Sequence, residues 1–113
     1  MTTNGVTGCY LLHFDPKFKH AGHYLGYADD IGKRVYEHEF DQSGARLTSA
    51  AVRAGCQLVV ARVWVGADRN FERKLKGGRN NKRTGSLKRI CPICKGQQPC
   101  SEQVSPLLLK SSD

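Results

Sequence analysis

The alternation of hydrophobic and polar positions predicts three β-strands. Val6–Phe14 is rich in β-branched and aromatic residues, which favour strands. His23–Ala28 follows after a polar loop, and the loop length predicts that the two strands form an antiparallel hairpin. Gln57–Val65 has the clearest strand pattern in the chain. We therefore expect three strands in one antiparallel sheet.

Three helices are predicted between and after these strands. Asp29 or Asp30 can cap a helix over about Ile31–Phe40, in which Ile31, Val35 and His38 share one side. The second helix covers Leu47–Ala54, with Thr48 or Ser49 near its start and Gly55 at its end. Asp68 can cap a third helix that reaches about Lys76, before Gly77 and Gly78. The predicted fold is α+β, with a three-stranded antiparallel sheet flanked by helices over residues 1–90 and a partly flexible, cysteine-containing tail over residues 91–113.

Length and composition fit one small globular domain. The chain has 113 residues, of which 39% are hydrophobic and 25% are charged. No apolar run approaches the roughly 20 residues that cross a bilayer, and the first residues lack the pattern of a signal peptide. The five cysteines cannot all pair within one chain, and Cys9 and Cys56 lie in apolar surroundings typical of small core residues. We expect a cytoplasmic, reducing location, without secretion or membrane association.

Positive charge is concentrated in the second half of the chain. Residues 1–68 contain equal numbers of basic and acidic side chains, so residues 69–113 carry the whole net charge of +8. Such a field attracts polyanions, and we expect double-stranded or branched DNA as the partner. The predicted DNA-binding residues lie between 69 and 89 and are Arg69, Arg73, Lys74, Lys76, Arg79, Lys82, Arg83, Lys88 and Arg89.

Five side chains on this scaffold suit phosphodiester hydrolysis. Tyrosines and a histidine can pass protons, an arginine can hold a phosphate, and a lone carboxylate can hold a divalent metal ion. Arg34 and His38 are four residues apart and share one face of the first helix. The candidate catalytic residues are Tyr10, Tyr24, Arg34, His38 and Glu72.

These residues stand in a pattern that resembles the GIY-YIG nucleases. Gly8-Cys9-Tyr10 and Tyr24-Leu25-Gly26 resemble the two name-giving triplets, and Arg34, His38 and Glu72 follow in the family's order. Thirteen residues separate Tyr10 from Tyr24, which lengthens the hairpin loop. Many members carry an asparagine about three helical turns beyond the glutamate, whereas Asn80 and Asn81 come earlier here. The likeness covers roughly residues 5–90 and is closest to small stand-alone catalytic domains.

The resemblance implies a metal-dependent DNA endonuclease. Glu72 would bind one Mg²⁺ or Mn²⁺, Arg34 would stabilise the transition state, and Tyr10 or His38 would take the proton of the attacking water. No separate recognition domain fits in the chain, so a protein partner, an oligomer or a structured substrate would supply specificity.

Two other functions remain open at this stage. Taken singly, the tyrosines, Arg34, His38 and Glu72 each have a commoner structural use, such as cross-strand packing or exposed ion pairs. The main alternative is a non-catalytic, basic nucleic-acid-binding protein that keeps the fold, and a third is a zinc-dependent interaction module.

Three cysteines near the end of the chain suggest part of a zinc site. Cys91 and Cys94 have the C-x₂-C spacing of zinc ligands, and Cys100 follows. A closed structural site needs four ligands, so the fourth would come from a distant histidine, from Cys56 or from a second chain. Free thiols are the alternative.

Overall fold

The fold is α+β, as predicted. The computed structural model describes residues 4–19, 21–41, 45–76 and 87–104. We name its strands and helices β1 (Gly8–Phe18), β2 (Ala21–Ala28), α1 (Ile31–Tyr36), α2 (Arg46–Arg53), β3 (Gln57–Val65), α3 (Arg69–Lys76) and β4 (Cys100–Gln103). A π-helical turn, Glu37–Asp41, continues α1, and two 3₁₀ turns, Leu87–Ile90 and Ile93–Lys95, precede β4. Within the described residues, no helix has the length and apolar character needed to span a membrane.

The sheet has four strands in the order β2-β1-β3-β4. The first three pair antiparallel as predicted, but β4 pairs parallel with β3, so the sheet is mixed and the three-stranded prediction was incomplete. Cys100–Gln103 has no hydrophobic alternation, and all four residues are exposed, which explains why the pattern missed this strand. Arg62 of β3 stabilises the pairing, because its Nε donates to Glu102 Oε1 at 2.9 Å.

The hairpin is longer than its hydrophobic pattern predicts. β1 continues to Phe18 and β2 begins at Ala21, and these two residues pair after a register shift that follows His13. Asp15, Pro16 and Lys17 are all exposed, so this part of the strand buries side chains on neither face of the sheet. Backbone pairing rather than side-chain burial therefore extends the hairpin into the predicted loop.

The predicted helices are found with small shifts in their ends. Asp30 is the N-cap of α1 and accepts the backbone N–H of Lys33 at 3.1 Å. The segment predicted as one helix changes at Glu37 from α to π geometry. Helix α2 begins and ends one residue earlier than predicted, at Arg46 and Arg53. Asp68 caps α3 by accepting the backbone N–H of Phe71 at 2.9 Å.

Each face of the sheet is covered by a separate hydrophobic cluster. Successive side chains of a strand point to opposite faces, so Tyr10, Leu12 and Phe14 lie on the face covered by α1 and α2. Cys9 and Leu11 lie on the other face, where Phe71 of α3 and the buried Cys91 pack. Residues 91–104, expected to start a tail, thus supply one core side chain and one strand.

Candidate active site and metal centre

Pairing between β1 and β2 brings the two predicted tyrosines together. Tyr10 pairs with Gly26 and Leu12 pairs with Tyr24, so Tyr10 and Tyr24 are diagonal neighbours on one face, with ring centroids 6.2 Å apart. A Cβ atom on Gly26 would lie 2.7 Å from the hydroxyl oxygen of Tyr10 and 2.9 Å from the Tyr24 ring. The glycine of the second triplet is therefore needed sterically, because it leaves room for both phenol rings.

His38 lies against both tyrosines. Its Nε2 atom is 2.8 Å from the hydroxyl oxygen of Tyr10, and its ring centroid is 5.2 Å from that of Tyr24. Both Tyr10 and His38 are essentially inaccessible, at 1% and 0% exposure. His38 reaches this position from the π-helical turn that follows α1, a geometry that often occurs at functional sites.

Thr48 fixes the direction of the hydrogen bond between His38 and Tyr10. The Thr48 hydroxyl donates to the carbonyl oxygen of Ala45 at 3.0 Å, and the same oxygen lies 2.8 Å from His38 Nδ1. A hydroxyl has one hydrogen, so Thr48 must accept from a protonated Nδ1. Nε2 of the neutral ring then carries a lone pair and accepts the hydroxyl hydrogen of Tyr10.

Burial holds both partners neutral near pH 7. Burial, followed by the neighbouring Tyr24, raises the pKa of Tyr10 above its usual value, although the Arg34 guanidinium opposes this. Burial also lowers the pKa of His38 to about 4, and the positive charge of Arg34 acts in the same direction. The pair is thus a neutral phenol that donates to a neutral imidazole.

Arg34, Tyr24 and Glu72 line a cleft of about 420 Å³ at the outer edge of β2. Arg34 comes from α1 and Glu72 from α3, so the two helices approach this edge from opposite faces of the sheet. Arg34 Nη1 donates to Glu37 Oε1 at 3.1 Å, which orients the guanidinium. Arg34 and Glu72 also both act electrostatically on Tyr10. Three of the five predicted residues therefore line one cleft, and the buried Tyr10 and His38 pack against Tyr24 behind it.

Several residues in or near this cleft were not assigned a functional role from the sequence. Glu37 orients Arg34, and Thr48 orients His38, although neither belongs to a motif that the sequence analysis used. Tyr27 and Asp29 also line the cleft, and the Tyr27 hydroxyl donates to Asp29 Oδ1 at 3.2 Å. Of these contacts, only the ion pair between Arg34 and Glu37 has a local sequence pattern, because residues three apart share one face of a helix.

Glu72 is one of several carboxylates that line the cleft. Glu37 is paired with Arg34, and Asp29 accepts from the Tyr27 hydroxyl. Within the described residues, these carboxylates are not part of a side-chain group that could hold a metal ion.

The described members of the predicted DNA-binding set lie on α3 and on the first 3₁₀ turn. Arg69 lines the cleft, and its guanidinium carbon is 4.8 Å from the centroid of the Tyr27 ring. Arg73, Lys74 and Lys88 are exposed, and Arg89 Nη2 donates to the carbonyl of Leu75 at 3.1 Å. Lys76 is the last residue of α3. The predicted residues Arg79, Lys82 and Arg83, together with Asn80 and Asn81, lie outside the described residues.

A separate cluster of four side chains could bind a metal ion. One potential ligand atom from each of His13, His23, Cys91 and Cys94 lies within 4.8 Å of all the others. His13 and His23 pair directly across the hairpin, whereas the cysteines flank the start of the second 3₁₀ turn. Nitrogen and thiolate donors suit Zn²⁺ better than Mg²⁺ or Mn²⁺.

The structure changes the predicted set of zinc ligands. Cys91 and Cys94 belong to the cluster, but Cys100 does not, because it is exposed in β4 and aligned with Arg62. Cys56 is buried in the hydrophobic cluster of the opposite face, so it supplies no fourth ligand. Two histidines complete the set, and no local pattern identifies them because their proximity depends on the hairpin register.

Two side chains of the cluster have shifted pKa values. Burial, followed by His13 and Lys88, lowers the pKa of His23 to about 4, so its ring is neutral near pH 7. Burial and the adjacent Cys91 raise the pKa of Cys94, because two neighbouring thiolates repel each other without a cation between them.

Comparisons with known proteins found no matching family model, no similar curated protein and no similar solved structure.

Proposed function

We propose that the protein is a metal-dependent DNA endonuclease of the GIY-YIG type. The observation that supports this proposal is that Tyr24, Arg34 and Glu72 line one cleft, while the buried Tyr10 and His38 pack against Tyr24 behind it. Proton acceptors, a guanidinium and a carboxylate around one opening are the groups that phosphodiester hydrolysis requires.

Tyr10 and His38 form a path for the proton of the attacking water. Tyr10 is 1% exposed and does not line the cleft, so its phenol oxygen would take a proton from water only once substrate binding opens a path to it; its own hydrogen would then pass to His38 Nε2, 2.8 Å away. The water becomes the nucleophile, Tyr10 stays neutral, and His38 becomes an imidazolium. The negative charge of a bound phosphate stabilises this imidazolium, and Thr48 keeps the ring in the accepting tautomer.

Arg34 stabilises the negative charge that develops on the phosphate. Its guanidinium lines the cleft and is held by Glu37 at 3.1 Å, so little reorganisation is needed when the substrate binds. The same positive charge opposes the increase in the pKa of Tyr10, but it also lowers the pKa of His38 and so disfavours the imidazolium until a phosphate is bound.

Glu72 would hold a Mg²⁺ or Mn²⁺ ion, which neutralises charge on the phosphate and on the departing oxygen. The carboxylate is the only acidic side chain of α3, and Arg69 at the start of this helix also lines the cleft. Arg69 and the exposed Arg73 and Lys74 would contact the DNA backbone and bring the phosphate to the carboxylate.

Cleavage of supercoiled plasmid in Mg²⁺ or Mn²⁺ tests this function. We expect Glu72→Gln and Arg34→Ala each to lower the nicking rate by roughly 10²-fold or more while DNA binding is retained. Glu39→Gln and Arg53→Ala are matched controls, because they remove the same groups away from the cleft, and we expect both to nick like the parent.

The alternative function predicts a different result in the same assay. A non-catalytic nucleic-acid-binding protein would bind plasmid equally well in all five forms and would nick it in none. Equal nicking by Glu72→Gln and the parent would instead exclude this carboxylate from the reaction.

A further inference from the structure

We propose that His13, His23, Cys91 and Cys94 form a structural Zn²⁺ site that fastens residues 87–104 to the β1–β2 hairpin. The proposal does not depend on the nuclease function, because the cluster lies on the sheet face opposite Tyr10 and His38. The ligand atoms are His13 Nδ1, His23 Nε2 and the two Sγ atoms.

Four of the six distances between these atoms match the edges of a zinc tetrahedron, and all six are within 4.8 Å. Zn–S bonds of about 2.3 Å and Zn–N bonds of about 2.0–2.1 Å give edges of about 3.5 Å between sulfur and nitrogen and about 3.3 Å between two nitrogens. His13 Nδ1 lies 3.5 Å from Cys91 Sγ and 3.7 Å from Cys94 Sγ. His23 Nε2 lies 3.3 Å from Cys94 Sγ and 3.4 Å from His13 Nδ1.

Hydrogen bonds alone do not explain this convergence. A ring nitrogen offers either one hydrogen or one lone pair, so it can be a full partner in only one hydrogen bond. His13 Nδ1 nevertheless faces His23 Nε2, Cys91 Sγ and Cys94 Sγ at once. Three such neighbours are expected when all four atoms point at a common centre, which is the arrangement of metal ligands.

Charge balance also favours a divalent cation. Two thiolates and two neutral imidazoles carry two negative charges, which Zn²⁺ neutralises completely. Cys91 is fully buried, at 0% exposure, where a thiolate without a counter-charge would be costly.

The ligand set indicates a structural rather than a catalytic ion. Four protein ligands close a tetrahedral zinc site, whereas catalytic zinc ions keep one position for water. Two ligands come from the hairpin, one from the link between the 3₁₀ turns and one from the second turn. The ion would therefore cross-link two parts of the chain, since Cys91 follows His13 by 78 residues. Its role would be to hold the 3₁₀ turns and β4 against the sheet.

Metal analysis of the full chain, expressed with zinc and purified without chelator, tests the site. We expect about one Zn²⁺ per chain in the parent and in Cys100→Ser and Cys56→Ser, and less than about one fifth of this in Cys94→Ser and His23→Ala. Glu72→Gln should keep its zinc, which separates this site from the proposed nuclease site. Less than half an equivalent in the parent would overturn the proposal, as would equal loss in Cys100→Ser and Cys94→Ser.

Cobalt substitution tests the geometry without any variant, so it does not depend on whether the variants fold. Co²⁺ in an S₂N₂ tetrahedron gives intense visible d–d bands and thiolate-to-cobalt charge transfer, and we expect both in the parent. Weak bands typical of octahedral Co²⁺, without charge transfer, would contradict the site. Removal of the metal by chelation should lower the melting temperature of the parent, and readdition of Zn²⁺ should restore it.

Discussion

The Thr48 hydroxyl determines which of two buried groups can accept a proton. Because its hydrogen is used on the Ala45 carbonyl, His38 must donate from Nδ1 and accept at Nε2. Sequence left open whether Tyr10 or His38 takes the proton of the water. The hydrogen bonds favour His38 as the final acceptor and Tyr10 as the group that relays the proton.

At the residue scale, we predict that His38 makes stability depend on pH. Burial lowers the pKa of His38 from 6.5 to about 4, so the unfolded chain binds this proton more readily than the folded chain. The contribution of neutral His38 is fully present above about pH 6.5 and is lost as the pH falls toward 4. Between pH 7.5 and 4.5, we expect the free energy of unfolding to fall by about 2–3 kcal/mol more in the parent than in His38→Gln.

Urea titrations of both proteins at the two pH values measure this difference. Both retain the same carboxylates and the same histidine–cysteine cluster, so the comparison isolates His38. An identical pH dependence in parent and variant would show that His38 does not titrate in this way.

At the element scale, the caps of short helices determine where the candidate site residues lie. Helix α1 carries Arg34 and is capped by Asp30, whereas α3 carries Glu72 and is capped by Asp68. Each of these helices has only two turns or fewer, and such helices are unstable unless their ends and one face are held. A cap therefore affects both stability and the position of a candidate catalytic group.

We predict that the side-chain oxygen of Asp68, rather than its negative charge, stabilises the start of α3. Asp68→Ala leaves the Phe71 N–H without its side-chain acceptor and should lower the free energy of unfolding by about 1 kcal/mol. Asp68→Asn retains an oxygen acceptor and should stay close to the parent. Urea unfolding measures both variants, and equal destabilisation by Ala and Asn would indicate that the negative charge, rather than the cap, matters.

At the scale of the whole molecule, charge is distributed unevenly over the two ends of the chain. The first 68 residues are neutral overall, and the remaining residues carry the net charge of +8. The exposed Arg73 and Lys74 lie on α3 beside the candidate cleft, whereas the equally exposed Arg46 and Arg53 lie on α2. The two pairs differ in position but not in charge.

We therefore predict that DNA binding depends on where positive charge is removed. Replacing Arg73 and Lys74 by Gln should lower the slope of log K against log salt concentration by about 2 and weaken binding to all sequences. The matched Arg46→Gln, Arg53→Gln variant should change this slope by less than half as much. Fluorescence anisotropy over a range of salt concentrations measures both, and equal changes would mean that only the total charge matters.

The sequence predicted the elements whose pattern of buried and exposed side chains is typical of a helix or a strand. β3 was predicted with its observed ends because Gln57–Val65 combines β-branched residues with burial. β4 was missed because its four residues are exposed and show no hydrophobic alternation. It is a strand because its backbone pairs with that of β3. Its pairing depends on a neighbour that is distant in sequence.

The same distinction applies to the candidate sites. Cys91 and Cys94 could be selected because their spacing is local, but His13 and His23 meet only through the hairpin register. Likewise, the resemblance supplied Tyr10, Tyr24 and Glu72, whereas Thr48 became relevant only when its hydroxyl was found beside His38. Local patterns identified side chains with suitable chemistry, and tertiary structure determined their partners.

The parallel strand β4 has a consequence for shorter versions of the chain. A version that ends before Cys91 would keep all five candidate nuclease residues but would leave the backbone of Arg62–Val65 unpaired on one side. Such a bare edge, next to Trp64, is a template on which strands of other molecules can assemble. Truncation to the apparent catalytic portion should therefore yield an insoluble product, so the last described strand acts as a cover against self-association.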